Sequence, residues 1–279
     1  MPVEVALLAA GSCSHPGFVV QPGAGRRTVE FPALVAVIRH PERGVILFDT
    51  GYTERFEAQT ARFPASAYRR VTPVTCPPDR TAVAQLAGMG IAAEDVRWVV
   101  VSHFHADHTA GLRDFPLARL VFGRDALTPL RRGSALGQVR RGFLPGLLPE
   151  AIDERTVHAE DLPTAPAELW DHPGLPSAHD LSGDGSVVVV GLPGHAPGHI
   201  GLLVRTGRAD ALLVGDACWT RRAFTDLQMP HPVARLVTHS WRTYQQTIRA
   251  LHDLHTRRPD LVIVPSHCAE SIARAEAAL

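Results

Sequence analysis

Three imidazoles and one carboxylate lie within six consecutive residues of this chain, and this density limits how the chain can fold. The segment is His103-Phe104-His105-Ala106-Asp107-His108, and it follows residues 95–101, which predict a buried strand. Imidazole nitrogens and carboxylate oxygens are the ligands that suit zinc and other divalent first-row metals. In an extended or turning loop, His103 and His105 project to the same side, which leaves Asp107 and His108 to face a second ion.

One loop cannot complete two metal sites, so further donors must come from elsewhere in the chain. Three later apolar stretches that predict strands, residues 186–192, 211–214 and 261–264, each lead into a histidine or an aspartate. These residues are His195, Asp216 and His267. Similar polar residues just beyond several apolar strands indicate one shared site.

Seven residues therefore make up the predicted metal site. The simplest allocation places His103, His105 and His195 on one ion and Asp107, His108 and His267 on the other, with Asp216 bridging. A hydroxide between two metals about 3.5 Å apart is then the expected nucleophile. A purely structural role is usual for a lone histidine, but it does not account for this many ligand-type residues.

The rest of the sequence consists largely of short apolar stretches separated by turn residues. Residues 33–38 and 45–48 predict two strands joined by a tight hairpin. Residues 79–90 have apolar side chains at helical spacing, with Asp79 as the predicted cap and glycine at the end. This pattern predicts an α/β fold.

No repeat and no low-complexity linker divides the sequence, so a single domain over residues 1–279 is predicted. The composition changes between residues 113 and 184, and this segment is expected to form an insert or helical cap near the substrate entrance. It carries Arg131, Arg132, Arg140 and Arg141. These arginines could bind an anionic substrate, and a solvated helical face explains them equally well.

The charge balance limits the class of partner. The chain has 28 basic and 28 acidic residues, a formal net charge of +0. Binding to nucleic acid or to an anionic membrane needs a cationic surface, so we expect a small-molecule partner and neither nucleic acid nor membrane. The four cysteines lie far apart without a CxxC pair, and a reducing cytoplasm is the simplest location.

The order and spacing of the ligand-type residues resemble the metallo-β-lactamase superfamily. HxHxDH is followed by Gly194-His195, Gly215-Asp216 and Pro265-Ser266-His267, with Asp49-Thr50-Gly51 upstream. The resemblance implies a four-layer αβ/βα sandwich with the metals at one edge of the two sheets. It also implies a metal-dependent hydrolase with two divalent metal ions, expected to be Zn²⁺, and a homodimer.

Within that superfamily the sequence is most similar to the N-acyl homoserine lactonases, the quorum-quenching branch. The resemblance implies opening of a lactone or related ester by a metal-bridging hydroxide, with homoserine lactones favoured. The best-known lactonases have a tyrosine three positions after the bridging aspartate, where this chain has Trp219. An indole N–H donates one hydrogen bond but is not a phenolic acid. Trp219 and Asp107 are the catalytic candidates, and Asp107 could pass the proton to the leaving alkoxide.

Three alternatives stay open: a thioesterase similar to glyoxalase II, a phosphodiesterase, and a binding module stabilised by metal. The first usually adds a C-terminal helical domain, whereas this sequence ends shortly after His267. The second usually has a more basic substrate groove. The third commonly lacks one or more of the ligands, and all of them are present here.

Four further residues near the motifs are assigned supporting roles. Asp49 is interpreted either as a carboxylate that orients a ligand imidazole or as a turn-forming residue. His199 is expected to form a hydrogen bond near the site rather than to bind metal. Cys218 and Cys268 are expected to be small buried residues rather than redox groups.

Overall fold

A computed structural model describes residues 2–20, 23, 25–175 and 177–279. The strands of its first sheet are β1 (Glu4–Pro16), β2 (Thr28–His40), β3 (Gly44–Phe48), β4 (Val74–Thr75), β5 (Val96–Val100), β6 (Arg119–Phe122) and β7 (Thr156–His158). The strands of its second sheet are β8 (Ala178–Asp180), β9 (Val187–Gly191), β10 (Ile200–Arg205), β11 (Asp210–Gly215) and β12 (Val262–Pro265). The strand order is β4-β1-β2-β3-β5-β6-β7 in the first sheet and β12-β11-β10-β9-β8 in the second.

Short helices connect most of these strands. The α-helices are α1 (Gly17–Val20), α2 (Glu54–Gln59), α3 (Ala65–Val71), α4 (Ala82–Gly88), α5 (Ala106–Thr109), α6 (Thr128–Arg131), α7 (Ala135–Arg140), α8 (Ile152–Arg155), α9 (Arg221–Thr225), α10 (Trp241–Arg257) and α11 (Ala269–Ala278). Single 3₁₀ turns lie at Pro78–Arg80, Ala93–Asp95, Leu112–Asp114, Pro145–Leu147, Ala159–Asp161 and Pro232–Leu236. No helix in the described ranges is long and apolar enough to cross a bilayer.

The two sheets pack face to face through alternate residues of their strands. Leu34, Ala36 and Ile38 of β2 belong to the same buried cluster as Val187 and Val189 of β9. Successive side chains of a strand point to opposite faces, so these residues form the layer between the sheets. Such runs of β-branched and aliphatic residues fit strands that are buried on both faces.

The outer faces of both sheets are covered by helices. Val35 and Val37, the alternate residues of β2, cluster with Leu86 of α4. On the second sheet, Val188 of β9 clusters with Ile248 of α10. The layers therefore run helix, sheet, sheet, helix, and the predicted four-layer αβ/βα sandwich is confirmed.

The hairpin prediction is confirmed, and the helix prediction is correct except for its cap. β2 and β3 pair in antiparallel fashion, with Ala36 opposite Phe48. Asp79 does not cap α4, because it lies in the preceding 3₁₀ turn. The hydroxyl of Thr81 accepts the backbone N–H of Ala84 instead, in the usual N-cap arrangement.

The segment 113–184 holds sheet strands as well as helices. It contributes β6 and β7 to the first sheet and β8 to the second. Its helical part, formed by α6, α7 and α8, lies between β6 and β7 in the chain. An insert or cap thus remains a prediction for this helical part, which contains the four arginines.

Candidate metal centre

The seven predicted ligand residues all lie just beyond the ends of strands. β5 leads through Ser102 into His103, and His105 directly precedes α5, which carries Asp107 and His108. β9, β11 and β12 lead into His195, Asp216 and His267. These strands belong to both sheets, so the seven side chains come together from the two halves of the sandwich. They form two groups of donor atoms.

The first group consists of His103, His105, His195 and Asp216, whose ligand atoms lie within 4.8 Å of one another. His195 Nε2 is 3.1 Å from His105 Nδ1 and 3.3 Å from Asp216 Oδ2. His103 Nε2 is buried and has no hydrogen-bond partner among the described residues. A buried, unpaired ring nitrogen is costly unless a ligand satisfies it, so this group is suited to a cation.

The second group consists of Asp107, His108 and His267. His267 Nε2 lies 3.1 Å from both Asp107 Oδ2 and Asp216 Oδ1. His108 Nε2 is 3.3 Å from Asp107 Oδ2 and 3.4 Å from Asp216 Oδ1. Asp216 therefore directs one carboxylate oxygen towards each group, and its position lies between them.

Hydrogen bonds on the far sides of two rings determine which nitrogen faces the site. His267 Nδ1 donates to the carbonyl of Pro32 at 2.7 Å, and a carbonyl can only accept. His108 Nδ1 lies 2.6 Å from Asp49 Oδ2. In the neutral form of each imidazole, the Nε2 lone pair then points at carboxylate oxygens. Two acceptors at this distance repel each other unless a proton or a metal cation lies between them.

The pKa shifts of His267 and Asp216 also indicate that the site favours positive charge. Burial opposes the charged imidazole, but the carboxylates of Asp216 and Asp107 raise the pKa of His267 to about 10. Despite the burial of its carboxyl, His267 and His195 hold the pKa of Asp216 well below its usual value. Metal ions can replace the protons that balance buried carboxylates. The donor set therefore fits divalent cations.

Asp49 orients His108, a residue of the second group, through the contact with its Nδ1. Its side chain is fully buried and accepts hydrogen bonds from the backbone N–H of Ser102 at 2.7 Å and from its hydroxyl at 2.8 Å. Burial raises the pKa of the Asp49 carboxyl, and the contacts with His108 and Ser102 oppose that rise. The backbone of Asp49 also has a φ of 60°, a left-handed conformation that aspartate adopts more readily than most residues, but the residue lies in an irregular segment rather than in a turn. The structure therefore supports the orienting interpretation of Asp49 and not the turn-forming one.

His199 supports the loop that carries Asp216. Its Nε2 accepts the backbone N–H of Asp216 at 3.2 Å, and its ring lies 5.0 Å from that of His103. The residue before Asp216 is Gly215, with a φ of +53°, and a Cβ there would come within 3.0 Å of His199 Nε2. A glycine is thus required for the strand end to approach this ring.

Trp219 contacts the site through Asp216. Its indole N–H donates to Asp216 Oδ2 at 3.0 Å, so it is already engaged with a ligand-type residue. Cys218 and Cys268 are buried and free, and burial holds the pKa of the Cys218 thiol well above its usual value. Both properties agree with a packing role for Cys218.

The sequence did not reveal two of the groups that orient the histidines. Ser102 joins Asp49 to His103, because its hydroxyl lies 3.0 Å from His103 Nδ1. Its place between a buried strand and the first histidine was the available signal. The second group is the carbonyl of Pro32, which orients His267, and a backbone carbonyl leaves no pattern of side chains in the sequence.

Two packed sheets with a buried histidine and aspartate cluster at their edge are the features of a metal-dependent hydrolase. The model of the metallo-beta-lactamase superfamily matches residues 28–267. The chain belongs to this superfamily, and the resemblance noted from the sequence is confirmed.

Individual relatives give the same result. The N-acyl homoserine lactonase AttM of Azorhizobium caulinodans is 30% identical over 249 residues, 85% of this chain and 82% of that protein. A probable metallo-hydrolase of Mycobacterium tuberculosis is 30% identical over 234 residues, 80% of this chain and 71% of that protein. A solved N-acyl homoserine lactone hydrolase, with N-hexanoyl-L-homoserine bound at its catalytic metal center, has a TM-score of 0.73 at 19% identity and covers 98% of this chain and 97% of its own. The structural likeness concerns the fold.

Proposed function

We propose that this chain binds two divalent metal ions, with Zn²⁺ as the expected metal. We also propose that it opens a lactone or a related ester, with N-acyl homoserine lactones as the favoured substrates. The observation that carries the proposal is the position of Asp216, with Oδ1 3.1 Å from His267 Nε2 and Oδ2 3.3 Å from His195 Nε2. A carboxylate that faces two donor groups suits two cations better than one. The lactonase relatives support the choice of substrate class.

The residues of the chain divide the remaining work. When bound, the metal ions supply the positive charge that activates water and stabilises the developing oxyanion. Asp107 would hold the second ion through Oδ2, which faces His108 and His267, and its other carboxylate oxygen would accept a proton and pass it to the leaving alkoxide. Trp219 acts as a positioning residue, because its N–H holds Oδ2 of Asp216.

The first test combines metal content with hydrolysis. Purified protein should contain about two metal ions per chain, and it should open N-acyl homoserine lactones until a chelator removes the metal. Metal content is measured by mass spectrometry, and ring opening is measured by titration of the acid produced. Restored activity after metal is returned is the control. Two metals without lactone turnover would contradict the lactonase proposal and direct the search to thioesters and phosphodiesters.

Replacing Trp219 by Phe should lower kcat by about tenfold or more with little change in metal content. The change removes one hydrogen bond to the Asp216 carboxylate, and a bond to a charged group contributes about 1.5–3 kcal/mol, which is about 13- to 160-fold in rate. Steady-state kinetics on one lactone and metal analysis provide the two measurements. The kcat of Trp219→Tyr should exceed that of Trp219→Phe only if a hydroxyl donor at this position aids the reaction.

The matched control for this pair is Trp241→Phe. Trp241 is also half-buried and packs on Tyr244 at 5.7 Å between ring centroids, as Trp219 does at 6.4 Å. It makes no contact with Asp216 among the described interactions. Equal kinetics of the Trp219→Phe and Trp241→Phe variants would contradict the positioning role.

A further inference from the structure

A cavity of about 360 Å³ opens beside the first group of metal-ligand candidates. His105 and His195 both line it, so a molecule in the cavity is adjacent to the proposed metal. Residues 236–239 also line it, and the backbone N–H of His239 donates to the carbonyl of His195 at 2.8 Å. The cavity is therefore fixed to the metal centre by backbone contact. It is the place where the part of a substrate next to the scissile bond would lie.

The chain just after α7 passes close to His105. Gly142 has a φ of +65°, and a Cβ at this position would lie 2.7 Å from Cδ2 of His105. Only glycine allows the chain to pass so close to the imidazole. The two residues before it, Arg140 and Arg141, line the cavity. Their place beside the metal centre thus follows from the backbone path.

The structure separates the four arginines that the sequence could not distinguish. Arg131 forms an ion pair with Asp153 at 2.7 Å, and Arg132 is exposed and is not among the residues that line the cavity. Arg140 and Arg141 form no ion pair with any carboxylate in the described ranges, and Arg141 has only a 3.4 Å contact with a backbone carbonyl. No Asp or Glu is among the described residues that line the cavity.

The cavity also has an apolar part. Leu130 and the exposed Leu236 and Val237 line it together with the arginines, and Leu236 is 69% exposed. Solvent-exposed aliphatic side chains beside guanidinium groups that have no carboxylate partner in the described ranges suit a molecule with a short apolar stretch and a negative charge. The chain as a whole is neutral, so this cationic character is local.

We propose that the substrate carries an anionic group, such as a carboxylate, on its acyl side, and that Arg140 and Arg141 bind it. This inference rests on the proposed hydrolase function, because it assigns the cavity to the acyl part of the substrate. An anionic acyl group would distinguish the substrate of this chain from the substrates of enzymes that act on neutral acyl chains. Arginine binds carboxylates through paired, charge-assisted hydrogen bonds, so these residues determine specificity and take no part in bond cleavage.

The test compares two homoserine lactones that differ only at the tip of the acyl chain. One carries an adipoyl chain with a free carboxylate, and the other carries the same chain ending in a carboxamide. We expect the wild-type enzyme to favour the carboxylate about tenfold in kcat/KM, which corresponds to about 1.4 kcal/mol. In the Arg140→Gln/Arg141→Gln double variant this ratio should fall close to one. Higher salt should reduce it in the wild type.

Arg132→Gln is the matched control, because it removes one exposed arginine of the same segment that does not line the cavity. It should keep the wild-type ratio. A wild-type ratio near one, or an unchanged ratio in the double variant, overturns the inference. Thermal unfolding of all variants checks that the substituted, exposed positions leave the fold intact.

Two further arms separate this inference from the proposed function. The same pair of acyl chains is attached to p-nitrophenyl esters, so a ratio that falls in the double variant supports the inference even when lactones are not opened. If no compound is turned over, calorimetry with the ring-opened N-adipoyl-homoserine and its carboxamide analogue gives the answer. Equal affinities overturn the inference, and tighter binding of the carboxylate that is lost in the double variant supports it.

Discussion

Asp216→Asn should lower kcat/KM by at least about a hundredfold, because changing a residue that merely orients a metal ligand already costs about 10–100-fold. The carboxylate faces both donor groups, and Oδ1 lies 3.1 Å from His267 Nε2. Asparagine keeps the shape but replaces one oxygen by an NH₂ group, which can donate hydrogen bonds but does not bind metal. Metal content should therefore fall below that of the wild type. Mass spectrometry and steady-state kinetics on a lactone measure the two effects.

The control for this variant is Asp226→Asn, which removes an exposed carboxylate that pairs with Arg222 at 3.2 Å. A surface pair of this kind contributes little to stability, and it lies outside the candidate site. The control should keep wild-type metal content and turnover. Wild-type turnover in Asp216→Asn would show that this carboxylate does not connect the two groups, and the dinuclear proposal would fail.

The ligand-type side chains could be predicted because histidines and aspartates seldom follow several buried strands of one chain unless they share a site. The backbone partners could not. His267 Nδ1 is oriented by the carbonyl of Pro32, 235 residues away in sequence, and a backbone carbonyl is the same group at every position. For Asp49 the sequence allowed two roles, and only the folded structure shows the contact with His108 and places the residue outside any turn.

The fold was predicted well where strands are long or strongly apolar, and poorly where they are short. β6 has four residues, and β7 and β8 have three each, so a period of two hardly appears in their sequence. These strands lie within residues 113–184, where the prediction emphasised helices. Gly142 is similar in this respect, since nothing local to it indicates that a distant imidazole will lie against it.

Asp49→Asn should weaken metal binding at the second group by about 10–100-fold while the protein stays folded. The asparagine oxygen can still accept the backbone N–H of Ser102, as Asp49 Oδ1 does at 2.7 Å, and the NH₂ group would take the place of Oδ2. Its NH₂ group would then face Nδ1 of His108, where two donors repel. His108 can relieve this by moving its proton to Nε2, but Nε2 is the nitrogen that faces Asp107 and Asp216. A protonated Nε2 cannot bind a metal ion.

The expected result is about one metal per chain after dialysis at limiting metal, compared with about two in the wild type, and a matching loss of turnover. The control is Asp180→Asn, which changes another buried carboxylate that accepts hydrogen bonds from Ser182 and Gly183 in the connection between β8 and β9. That variant should lower the free energy of unfolding without a change in metal content. If Asp49→Asn retained both metals and lost only stability, Asp49 would have a purely structural role, and the orientation of His108 would not depend on its charge.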